Sequence, residues 1–190
     1  MLSQILEFII DSVSGFLVFL LLARFHFQWL RVSFRNQFGE FILALTNWIV
    51  FPARRVIPGL AGFDLPTFLV AWLIQVATLG VIYLLRGYDF TAAPGPAIAI
   101  LFALALIDLV RFSLYILIFA LIVQAVLSWT NPQSPMSYTF DAMVRPFLRP
   151  IRRFVPPISN IDLSPLVLLI ALQVVLIPLA YGRAMVAGLF

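Results

Sequence analysis

The sequence predicts an all-α integral membrane protein: four transmembrane helices arranged as two tandem helical hairpins, with short interfacial or re-entrant helices in the cytoplasmic loops. Three observations lead there. Of 190 residues, 63% are hydrophobic and 11% charged, against roughly 45–50% and about 25% in soluble domains. Four apolar runs each come close to the roughly 20 residues that a helix needs to cross the hydrocarbon core. The chain also repeats itself at a fixed spacing. Spans and loops consume the length, which leaves no room for a separate soluble catalytic domain.

The first span covers about residues 8–29 and ends at Trp29, an aromatic of the headgroup belt. Arg24 lies inside it, about 7 Å from that belt. It is within snorkelling reach, yet a cation within a span is also a functional candidate. His26 reads as an interfacial aromatic beside Trp29. Glu7 and Asp11 stand where a cleavable signal would carry bases, so this helix is expected to be retained. The second span, residues 65–85, is charge-free between Asp64 and Arg86.

The third span, about residues 109–129, ends at Trp129. No Gly or Pro interrupts the stretch from Ala97, so residues 97–107 read as an extension on or beyond the far surface. A fifth span would need a hairpin near Asp108, where no breaker residue stands. Asp108 and Arg111, three apart, are expected to neutralise each other at the outer interface. The fourth span covers residues 163–182, before Arg183.

The duplication is read from polar residues matching in order. Pro52, Arg54, Arg55, Pro58, Asp64 and Gln75 reappear as Pro150, Arg152, Arg153, Pro156, Asp162 and Gln173, each 98 positions on. Trp29 and Trp129 pair at 100, as do Arg24 and Gln124. The first repeat is residues 1–90 and the second 91–190. An even number of crossings in each gives both copies one orientation. The two long loops hold eight Arg, against Arg86, Arg111 and Arg183 on the other side. This places the loops in the cytoplasm and both termini outside. Within the loops, residues 38–51 and 138–148 are too short to span and read as interfacial or re-entrant helices.

Each repeated residue has a structural and a functional reading. Arg54, Arg55, Arg152 and Arg153 either rest among lipid phosphates, at about 1 kcal/mol each, or, braced by their flanking prolines, clamp a phosphate or carboxylate bidentately. Asp64 and Asp162 precede spans whose first turns hold Pro66 and Pro165, which predicts helix caps. Each Asp is also placed to fix its own Arg pair. Gln75 and Gln173 lie about 16 Å beyond those caps, near the midplane, and predict interhelical hydrogen bonds.

Chemistry is bounded by absence. The chain has no Cys and one His, which removes thiolate and iron–sulfur chemistry and a histidine-built metal site. No catalytic constellation is visible, so neither an enzyme nor a cofactor is expected. Lipids, a membrane-protein partner and further copies of the chain are the expected partners, and nucleic acid is not.

With its duplicated P-x-R-R-x-x-P followed by Asp-Leu, the chain resembles the YggT family, also called YlmG, in its two-unit form. The resemblance implies a small bacterial membrane protein serving cytochrome maturation, cell division or osmotic tolerance. Together these readings predict a non-enzymatic assembly or scaffold factor docking lipids or a partner complex through two Arg-rich loops. The alternative is a small ion or osmolyte channel or transporter component, with Gln75, Gln173 and Arg24 lining a polar route.

Overall fold

The computed structural model describes residues 1–59, 63–155 and 162–190. Among these it forms six helices: α1 (Leu2–Trp29), α2 (Gln37–Val56), α3 (Leu65–Leu85), α4 (Pro94–Thr130), α5 (Pro135–Phe154) and α6 (Ser164–Ala187). The long, apolar α1, α3, α4 and α6 are each able to cross a membrane. In chain order the pattern α1-α2-α3 recurs as α4-α5-α6.

α2 and α5 are amphipathic. α2 buries Gly39, Ile42, Thr46 and Val50, and α5 buries Phe140, Met143, Val144 and Leu148; spacings of three and four put each set on one helical stripe. Their starts are fixed by matched caps. Asn36 Oδ1 accepts the Gly39 N–H at 2.9 Å, and 98 positions on Ser134 Oγ accepts the Ser137 N–H at 3.1 Å. The duplication therefore extends to the caps.

Both helices outrun the predicted segments and take the Arg pairs as their last turns. Pro52 and Pro150 lie inside helix rather than bracing a loop. This corrects the expectation of rigid, proline-flanked Arg loops. Each proline removes one N–H from a helix that is about to end, and Arg in a final turn is favoured by the helix dipole. Pro58 follows the first pair outside the helix, whereas Pro156 lies outside the described residues.

α4 runs unbroken through Asp108, so no fifth span forms. Residues 97–107 do not project freely. Leu101, Leu104 and Ala105 pack with Leu79 of α3, and Trp72 Nε1 donates to the Phe102 carbonyl at 3.2 Å. An apolar stretch this long is more stable against α3 than exposed.

The two copies meet in a chain of rings. Phe27 of α1, Phe38 of α2 and Phe140 of α5 stand 5.9 and 5.4 Å apart in sequence, and Phe119 of α4 lies 6.0 Å from Phe140. α1 and α3 run antiparallel. Arg86, at the end of α3, pairs with Glu7 at 2.9 Å, while Arg54, which holds Asp64 at the start of α3, meets Gln28 near the end of α1 at 3.0 Å.

Candidate functional site

Each Arg pair divides its labour. Arg54 grips Asp64 with two nitrogens, Nη2 to Oδ2 at 2.6 Å and Nε to Oδ1 at 3.3 Å. Ninety-eight positions on, Arg152 binds Asp162 Oδ2 through Nε and Nη2, both at 2.9 Å. These contacts clasp the last turn of α2 or α5 to the start of the following span. Arg55 and Arg153 are exposed and form no ion pair among the described residues. The sequence treated the four Arg as equivalent; in the fold Arg54 and Arg152 are occupied by their own Asp.

The capping expectation needs a correction in each copy. Asp64 occupies the N-cap position of α3, but its carboxylate takes no helix N–H. It accepts the Thr67 hydroxyl at 2.5 Å alongside Arg54, because a buried carboxylate with a guanidinium and a hydroxyl in reach needs no backbone donor. Asp162 is not the N-cap of α6, a position held by Leu163, but it does accept a backbone N–H, that of Ser164 at 2.9 Å. Burial alone would push its pKa up; the Ser164 N–H and the Arg152 guanidinium more than reverse this and hold it below the ordinary carboxylate value.

Arg24 is directed into the protein. It is buried, and Nη1 donates to Thr46 Oγ1 at 2.8 Å and Asn47 Oδ1 at 2.9 Å on α2. The Phe51 ring lies 5.9 Å from the guanidinium carbon. The amphipathic helix has brought polar groups to the cation, so it need not reach for the headgroups. At the equivalent place Gln124 faces no such pair, and its Oε1 is buried without a donor among the described residues.

Asp108 departs furthest from expectation. It is buried and holds donors from three helices instead of forming an interfacial pair with Arg111 alone. Arg183 of α6 donates Nε to Oδ1 at 2.6 Å, Arg111 Nη1 reaches Oδ1 at 3.2 Å, and Gln75 of α3 donates Nε2 to Oδ2 at 3.2 Å. A cavity of about 200 Å³ adjoins the cluster beside Asp11 and Tyr115. A second, of about 320 Å³, lies between Glu7, Arg86 and Arg183. Arg183 was visible in the sequence only as a span boundary. Its partner is 75 residues away, and no local pattern encodes that distance.

Gln173 is not the twin of Gln75 in the fold. Gln75 is buried on Asp108, whereas Gln173 is exposed on α6. Among the described residues Gln75, Gln173 and Arg24 form no side-chain hydrogen bond with one another. His26 stands edge-on to Trp29 at 5.9 Å, with Nδ1 2.7 Å from the Leu22 carbonyl oxygen. Among the described residues no three His, Asp or Glu side chains converge as metal ligands.

The CCB3/YggT family model matches residues 3–85 and 103–181, one segment in each copy of the repeat. A Vibrio alginolyticus protein, described as an uncharacterized protein in the proC 3' region, is 32% identical over 169 residues, covering 88% of this chain and 89% of its own length. The Escherichia coli K12 protein YggT is 31% identical over 171 residues, covering 90% and 86%. A Haemophilus influenzae protein is 28% identical over 191 residues, covering 98% and 99%. No solved structure matches. With most of its length matched in two tandem segments, the chain belongs to the CCB3/YggT family.

Proposed function

We propose that the protein is a multi-pass assembly or scaffold factor of the bacterial inner membrane, working without catalysis. It consists of two tandem hairpins, α1/α3 and α4/α6, with α2 and α5 lying in the cytoplasmic headgroup region. The single observation that carries this reading is the repeated clasp. Arg54–Asp64 and Arg152–Asp162 fix the ends of α2 and α5 at matched places, and beside each clasp a second cation, Arg55 or Arg153, is left outward for a lipid phosphate or a partner's carboxylate. The orientation is supported by the Arg count, eight in the two long loops against Arg86, Arg111 and Arg183 on the other side.

The test is a photoreactive residue at Arg55 and, separately, at Arg153 in living cells. Capture of one common protein or anionic lipid from both positions is the expected result, with loss of capture when the other position is changed to Gln. Different or no captured species at the two sites would remove the scaffold reading. Reporters near residues 56 and 154 should register the cytoplasm together; opposite compartments would overturn the topology. Retained solute flux in liposomes that disappears on changing both Gln75 and Gln173 to Leu would establish the transport alternative instead.

A further inference from the structure

The duplication contains its own control experiment. Where α1 meets α3, Phe25 fills the angle between the helices and packs against Phe68, the rings tilted with centroids 5.6 Å apart. Gln28, one turn on, accepts from Arg54 Nη2 at 3.0 Å and seals the end. The matched positions of the second copy carry Ala125, Leu166 and Ser128. Ala125 removes a ring, and the Ser128 hydroxyl turns back to its own helix, donating to the Ala125 carbonyl at 2.7 Å. The consequence is a groove of about 900 Å³ between α4 and α6, walled by Val126, Leu166 and Leu169, with Gln124 in its lining and Arg152 at its rim.

That groove differs from its filled twin in charge as well as in shape. The Asp64 side chain is 2% exposed, but that of Asp162 is 37% exposed, so the second clasp opens onto the space. Arg152 binds Asp162 through Nε and Nη2, which leaves Nη1 unengaged. On the same helix Asp141 pairs with Arg145, whereas Arg149 and Arg153 form no ion pair among the described residues. The groove's own charged lining is the Arg152–Asp162 pair, and Arg149 and Arg153 add cations on the same helix outside that lining. The rim's other marker is Trp129, 87% exposed at the level where an aromatic sits among headgroups. Both walls are spans, so the deep part faces hydrocarbon, and the volume falls in the range of single-ligand sites, roughly 300–1,000 Å³.

We propose that this groove binds one anionic phospholipid, an acyl chain lying between Ala125 and Leu166 and the phosphate held at Arg152. The apolar depth selects a chain, the unengaged Nη1 of Arg152 is offered to a phosphate oxygen, and a free phosphate would leave the walls unfilled. The inference deepens the docking role given above to the second basic segment, and rests on that reading only for which end of the groove faces the headgroups.

The test uses the full chain in phosphatidylcholine liposomes doped with phosphatidylglycerol carrying a photoreactive group on its acyl chain. Label should concentrate on residues 121–126 and 163–169. In the double variant A125F/S128Q, which copies the first repeat, it should fall by about tenfold, equivalent to roughly 1.4 kcal/mol of binding. Should that variant fail to reach the membrane, A125L narrows the groove more gently and is expected to reduce labelling in the same direction. R152Q should abolish the preference over a phosphatidylcholine probe; because it also breaks the clasp to Asp162, D162N, which breaks the clasp and keeps the cation, should retain that preference. Label spread evenly over all four spans, labelling undiminished by A125F/S128Q or A125L, or equal labelling by both probes in the wild type would each overturn the proposal. These variants keep Arg55 and Arg153, so loss of the groove site with capture at those residues preserved would fault the lipid site and spare the scaffold.

Discussion

Asp108 of α4 and Arg183 of α6 are joined at 2.6 Å across a sequence separation of 75 residues. The same carboxylate also holds Gln75 and Arg111. It ties three spans together at a point where the outermost of them, α6, is otherwise poorly buried. Removing one partner from a buried ion pair costs about 3–5 kcal/mol. Here Arg111 and Arg183 are 28% and 34% exposed, which brings the expected cost of Asp108→Asn down to about 2 kcal/mol. Surfactant-induced unfolding of the purified protein measures it. The double change to Leu at Asp108 and Arg183 should recover part of the loss, and a D108N protein as stable as wild type would contradict the clasp.

Arg24 is held by Thr46 and Asn47 of α2, so the cost of disturbing it is carried by the α1/α2 contact. Thr46→Val is nearly isosteric and removes the hydroxyl. A hydrogen bond to a charged group contributes about 1.5–3 kcal/mol, and the expected loss is at the lower end because Asn47 remains. The same unfolding assay should give a smaller effect for Val144→Thr, at the matched position of the second copy, where Gln124 replaces the cation.

What could be read in the sequence was what repeats locally. The four spans, the amphipathic helices and the pairing of each Asp with its Arg all follow from short-range patterns, such as apolar runs, three-and-four spacing and a ten-residue separation. The polar cluster at Asp108 was illegible because its members come from three helices at unrelated spacings. The buried state of Arg24 was missed for a related reason: its partners lie on the amphipathic α2, whose docking angle the sequence does not state. Gln75 and Gln173 show the limit of reasoning from repetition. They are identical in type and register, yet one meets Asp108 and the other is exposed, because α3 packs on α4 beside that carboxylate and α6 presents a different face.

Gly39 begins α2 in close quarters. A Cβ there would sit 2.6 Å from the Phe34 carbonyl oxygen and 2.7 Å from its Cα, and backbone cannot swing aside as a side chain can. Gly39→Ala is expected to cost about 1–3 kcal/mol, the range for overpacking. Gly95, in the first turn of α4, has nothing within 4 Å of its would-be Cβ, so Gly95→Ala should be neutral or stabilising by up to about 1 kcal/mol. Equal effects of the two changes in thermal denaturation would refute the close approach.

Asp162 supplies a pH signature. Its pKa is lowered from 3.8: burial opposes the charge, and the Ser164 N–H and Arg152 outweigh it. A carboxyl that binds its proton less readily in the folded state gives stability that is complete above the ordinary value and is lost as the pH falls through the lowered one. With the side chain 37% exposed, the contribution is below about 1 kcal/mol. Melting curves of wild type and Asp162→Asn should therefore differ at neutral pH and converge in acid below 3.8; a gap that persists unchanged in acid would assign the effect to packing.

Phe25 and Ala125 should respond with opposite signs to exchange. Phe25 is half-buried against Phe68, and full burial of such a ring is worth about 1.5–3 kcal/mol, so Phe25→Ala should cost about 1–2 kcal/mol. Ala125→Phe adds a ring to a groove that already has room for it, beside Leu166 in place of Phe68. Overpacking is destabilising only where the space is taken. In lipid-free detergent the second change should be neutral or stabilising while the first is destabilising, a contrast read directly from two unfolding curves. Destabilisation of similar size by both would mean that the two copies are packed alike and that the space beside Ala125 is not available to a side chain or to a lipid.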